Sequence, residues 1–97
     1  MSLSRTAQVQ LAAKAMVRID KVTGQPMLLF PEGALALNPT GAAIVELCDG
    51  RAFGMIVEEL ASRYNAPAEM LGNQVEQYLD RLRERGLVEV SEGEAAT

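Results

Sequence analysis

The pattern of apolar and polar positions changes period near residue 38. Before it the period is two. From Ala15 to Lys21, Val17 and Ile19 point one way while Arg18 and Asp20 point the other, as in a half-buried strand. Val22 to Pro26 reads as a turn or short loop. Met27 to Phe30 is apolar throughout, which predicts a central strand covered on both sides. Ala34 to Leu37 alternates again, with Leu35 and Leu37 towards the core. Pro31-Glu32-Gly33 between these runs is turn chemistry, since proline presets one φ and glycine permits a positive one. The prediction is a three-stranded antiparallel sheet with its first or third strand at an edge.

After residue 38 the apolar positions recur at steps of three and four. Asn38 stands where a helix N-cap belongs and Pro39 at the first helical position, so a helix is predicted from about Pro39 to Leu47, ended by Asp49-Gly50. Phe53, Ile56, Val57, Leu60 and Tyr64 mark a second helix. Ala66-Pro67 opens a third, which reaches Arg85 and stops at Gly86, a natural C′ residue. Leu87 to Val90 adds a short strand or wing. The predicted fold class is α+β and winged-helix-like: a three-stranded antiparallel sheet followed by a three-helix bundle. Residues 1–14 read as a flexible N-terminal arm, 15–90 as a single domain and 91–97 as a disordered tail.

Composition removes most enzymatic chemistries. The 97 residues contain no histidine, which excludes a histidine base, a histidine-ligated metal and a Ser-His triad. No catalytic residue, metal or cofactor is expected. The lone cysteine, Cys48, cannot form an internal disulfide; it reads as a small core residue, and it agrees with a reducing compartment. No apolar run approaches the ~20 residues needed to span a bilayer, and the N-terminus has no signal core, so a cytoplasmic protein without membrane contact is expected. Met16, Met27, Met55 and Met70 read as core filler. The net charge of −4 is uneven: residues 1–37 carry four cations against two acids, residues 38–97 five against eleven. An acidic helical half repels nucleic acid.

Two features remain that can bind something. On the third helix Leu71, Val75, Tyr78, Leu79 and Leu82 form one apolar stripe, and Gln74, Arg81 and Arg85 lie along its Tyr78 side. Such a margin suits an amphipathic peptide bearing acidic residues. The third strand, as an edge, leaves backbone groups that an extended peptide can pair with.

The chain resembles a known family, the protein D of pyrroloquinoline quinone biosynthesis (PqqD). The resemblance rests on Pro31-Glu32-Gly33, Leu37-Asn38, the ELCDG run Glu46–Gly50 and the LRERGLVEV run Leu82–Val90, in that order, and covers roughly Met16 to Val90. It implies a non-catalytic peptide chaperone, a stand-alone recognition element that binds a precursor peptide and presents it to a radical SAM enzyme. It further implies that the peptide joins as an added strand between the third strand and third helix. The peptide-binding residues expected are therefore Leu35, Ala36, Leu37, Gln74, Val75, Tyr78, Leu79, Arg81, Leu82 and Arg85. The chain departs from the family's usual pattern at Gln74, where an acid is common, and at Ala52, where a hydroxyl residue often caps the second helix.

Two alternatives compete. A DNA-binding winged helix would read with its third helix, but the seven charges from Glu69 to Arg85 sum to −1. A structural homodimer would use the same sheet edge, or exchange the N-terminal arm.

Overall fold

The structure, a computed structural model, describes residues 3–91. Its elements are β1 (Gln8–Leu11), β2 (Met16–Ile19), β3 (Pro26–Phe30), β4 (Gly33–Ala36), α1 (Pro39–Glu46), β5 (Asp49–Ala52), α2 (Phe53–Tyr64), α3 (Ala68–Glu84) and β6 (Val88–Ser91). The class is α+β, as the pattern predicts. The expected antiparallel sheet is present in the order β2-β3-β4, with Leu28 opposite both Val17 and Leu35. Those three residues share the inner face: Leu28 is fully buried, while Val17 and Leu35 pack against the core.

The outer face differs from expectation. The register puts Met16 beside Leu29, Met27 beside Ala36 and Leu29 beside Ala34. These side chains face away from the core and are half-buried or exposed, so the central strand is covered on one side only. Ile19, expected inside, is the last residue of β2 and is 61% exposed. Met16, Met55 and Met70 are likewise exposed and are not core filler.

The largest correction concerns residues 1–14. Instead of a flexible arm, Gln8–Leu11 is the middle strand of a second antiparallel sheet, β5-β1-β6. Ala7 and Val9 are completely buried, and Leu3 and Ala12 nearly so. The packed unit therefore begins near residue 3, not residue 15. Asp49-Gly50, expected only as a turn, opens β5, and Gly50 supplies the positive φ of +100° where the chain leaves α1. β6 realises the short strand expected after the third helix and includes Ser91; residues 92–97 of the expected tail lie outside the described residues.

The same N-terminal segment substitutes for a missing helix cap. Ala52 offers α2 no side-chain acceptor. The carbonyls of Ala7 and Arg5 accept from the first two helical N–H groups, those of Phe53 (2.7 Å) and Gly54 (2.9 Å). Arg5 also pairs with Glu58 at 2.8 Å, and the Leu3 N–H donates to the Glu76 carboxylate at 2.9 Å.

The other helix ends follow the sequence. Asn38 accepts from the Gly41 N–H at 2.6 Å with Pro39 in the first turn. At the end of α3, Leu87 N–H donates to the Leu82 carbonyl and Gly86 N–H to the Arg83 carbonyl, with Gly86 at φ +74°, a Schellman closure. Leu71, Val75, Leu79 and Leu82 of α3 pack with Ile56, Val57 and Leu60 of α2 in one core. Fully burying each large side chain contributes about 1.5–3 kcal/mol.

Candidate peptide-binding cleft

β4 pairs with β3 and, among the described residues, with nothing on its other side. The open edge is usable because of how the ladder alternates. Leu37 N–H donates inward, to the Pro26 carbonyl at 3.0 Å. Antiparallel alternation then turns the Leu35 N–H inward as well, and directs the N–H groups of Ala34 and Ala36 outward. Ala34 and Ala36 are exposed, with side chains too small to cover these groups.

Across this edge stands α3. A cleft of about 320 Å³ lies between them, lined by Leu35, Ala36, Tyr78, Arg81, Leu82 and Arg85. It holds six of the ten expected residues. Gln74 and Val75 line a neighbouring recess of about 100 Å³ between the helices, and Tyr78 borders both. Leu37 and Leu79 are 3% and 1% exposed and lie in the core behind the cleft. At the opposite end the cleft runs into a shallow space of about 480 Å³ lined by Lys14, Phe30, Glu32, Gly33, Ala34 and Arg85. Of these, sequence reasoning found only Arg85. Lys14 carried no signal, since its place depends on the β1–β2 connection. Ala34 belongs to the predicted strand, while Gly33, predicted as part of the turn, opens β4.

Tyr78 is the hinge of the site's shape. Burial pushes its phenol above the ordinary value against the opposing pull of the Arg81 charge, so it stays protonated at neutral pH. Its ring reaches α1 because Gly41 has no side chain: a methyl there would stand 2.6 Å from the Tyr78 hydroxyl and 3.0 Å from Cζ. Gly41→Ala is therefore expected to displace the ring into the cleft. The stability cost should be about 1–3 kcal/mol, read from urea unfolding, together with weaker peptide binding; unchanged values of both would remove Tyr78 from this role.

Among the described residues no three acidic or cysteine side chains gather in a metal-holding group. Asp49 is held down at about 2 by hydrogen bonds from Arg51, an exposed structural pair. Cys48 is buried, donates to the Ile44 carbonyl, and is pushed up to about 12 by burial and by Asp49. The thiolate is therefore scarce at any physiological pH. A thiol reagent at pH 8 should leave native protein unmodified and label it only on denaturation; rapid native labelling would contradict this burial. Because the folded value lies above the ordinary 9.0, Cys48's contribution to stability is complete below about pH 9 and is lost as pH rises towards about 12.

A sequence model of one family, Coenzyme PQQ synthesis protein D (PqqD), matches residues 27–88. The chain belongs to the PqqD family. Among curated relatives, the "PqqA binding protein" of Rhizobium meliloti (strain 1021) is 33% identical over 89 residues, covering 91% of each chain. That of Methylococcus capsulatus (Bath) is 36% identical over 67 residues, covering 68% of this chain and 72% of the relative. The fold is similar to the solution structure of the PqqD truncation of Methylobacterium extorquens PqqCD, described as a functional and stand-alone recognition element for ribosomally synthesized, post-translationally modified peptides. That match has a TM-score of 0.76 at 25% identity and covers 91% of this chain and 95% of the other. The PqqD match spans β3, β4 and α3, the elements that bound the cleft. No helix among the described residues is long and apolar enough to cross a membrane.

Proposed function

We propose that this protein is a non-catalytic peptide chaperone of pyrroloquinoline quinone biosynthesis, acting in the cytoplasm. It captures a PqqA-like precursor peptide as an extra strand on β4 and presents it to a radical SAM enzyme. The observation that carries this reading is the open β4 edge facing α3 across a cleft with a half-apolar, half-basic wall. Backbone pairing supplies affinity without reading sequence, and the α3 side chains supply selectivity. The names of the relatives, each a PqqA binding protein, support the choice of guest.

Ordering a disordered peptide offsets about 2–5 kcal/mol of the gross interaction. A micromolar complex, about −8 kcal/mol, allows the guest to be passed on. The test is titration of isotope-labelled protein with the PqqA peptide, followed by NMR. Amides of Gly33–Ala36 and of α3 around Tyr78–Arg85 should shift first. Shifts confined to other surfaces would reject the site. Addition of the radical enzyme should then give a ternary complex whose affinity depends on the peptide.

A further inference from the structure

The two ends of the cleft differ in chemistry, and the difference predicts what the guest carries. At the Gly33 end stand Lys14 and Arg85, and one turn back along α3 Arg81 lines the cleft beside Leu35 and Ala36. Arg81 and Arg85 form no ion pair among the described residues, and Lys14 meets Glu32 only at 3.8 Å, both side chains being exposed. The two arginine charges are thus not neutralised where the guest would pass, whereas Lys14 shares its charge with Glu32 in the same space. At the other end, beyond Tyr78, the recess between the helices is walled by Ile44, Leu60, Leu71 and Val75, with Gln74 at its rim. Its volume of about 100 Å³ suits one large apolar side chain and excludes water-borne charge.

The spacing follows from the elements themselves. β4 runs opposite to α3: Gly33 and Ala34 lie near Arg85, Leu35 and Ala36 near Tyr78, and Asn38 near Gln74. The basic pair sits about eight to nine residues further along α3 than the centre of the recess, or ~13 Å at ~1.5 Å per residue. An extended chain covers that distance in about four residues. Antiparallel pairing is the favoured continuation of an antiparallel sheet, so the guest enters at the Ala36 end and leaves at the Gly33 end.

Resting on the peptide-capturing function proposed above, we infer that the cleft selects an extended segment in which a large apolar residue precedes an acidic one by about four positions. The apolar side chain fills the recess beyond Tyr78, and the carboxylate meets Arg81, Arg85 and Lys14. The experiment uses the PqqA peptide with each acid changed singly to its amide and each large apolar residue changed to alanine, titrated against the full protein and against an Arg81→Gln/Arg85→Gln variant. Both arginines are exposed, so the variant keeps its fold, which its NMR spectrum checks.

One acid should stand out, its neutralisation weakening binding about tenfold, the size of a charge-assisted hydrogen bond. That loss should shrink markedly in the arginine variant, where only Lys14 remains to meet the carboxylate. One apolar residue, three to five positions before that acid, should show a similar loss in both proteins. Changes under twofold for every acid, or a sensitive apolar residue that follows the acid, would overturn the inference while leaving the capture site standing. An unmodified peptide that fails to shift the β4 and α3 amides removes both.

Discussion

Ala36→Pro will abolish peptide capture and leave the protein folded. The Ala36 N–H faces the open edge, so proline removes a donor that no described residue of the chain uses. Edge strands tolerate proline on the solvent side, and Leu35 before it is already extended, the conformation a following proline demands. The folded state should therefore change by less than about 1 kcal/mol. The guest meets a different situation. It loses a hydrogen bond worth about 0.5–1.5 kcal/mol and meets the pyrrolidine ring where its own carbonyl should lie. A loss of about two- to tenfold in affinity follows from the first term alone; the clash should carry it beyond detection by calorimetry. Leu35→Pro is the contrast. Its N–H points inward to the Leu28 carbonyl, and stranding that acceptor costs about 1–3 kcal/mol, besides the lost packing of a side chain that rests on the core. It should lower the melting temperature as Ala36→Pro does not. If Ala36→Pro binds the peptide like the parent, strand addition at β4 is wrong, whatever else α3 contributes.

The cleft was legible because both its walls are written locally. The apolar stripe of α3 declares its buried side through a 3.6-residue period, which places Arg81 and Arg85 on the flank without any knowledge of the tertiary fold. Proline, glycine and the Asn38 cap fix where β3 turns into β4 and where β4 gives way to α1. What stayed hidden depends on distant pairing. β5, with the sequence Asp-Gly-Arg-Ala, has no strand propensity of its own and is extended because Gln8 and Gln10 of β1 lie opposite Ala52 and Asp49. The open outer face of β3 was misjudged for a related reason: an apolar run looks the same whether its second face is covered or bare. For β1 the signal did exist. Ala7, Val9 and Leu11 alternate with Gln8 and Gln10, the period of two expected of a strand, but the segment is short and its neighbours are polar.

That overlooked segment carries the second large expectation: a chain beginning at residue 13 will not fold cooperatively. Removing residues 1–12 takes away Val9, completely buried, and Leu3, 9% exposed, each worth about 1.5–3 kcal/mol when fully buried. It takes the buried Ala7 and Ala12 with them. It leaves β5 and β6 without the strand that joins them, since neither pairs with the other. It also strips the Phe53 and Gly54 N–H groups of their acceptors at the start of α2, about 0.5–1.5 kcal/mol each, with no side chain at Ala52 to replace them. Together these losses exceed about 5 kcal/mol, the lower bound of what a domain of this kind has in total. Circular dichroism should show a broad, non-cooperative melt, and the proton–nitrogen spectrum should collapse to the narrow range of an unfolded chain. A truncated protein that melts sharply within a few degrees of the parent would mean that these residues only rest on a core complete without them. The cleft would be expected to fail along with the fold, because the buried side of α3 packs against the α2 that this segment caps.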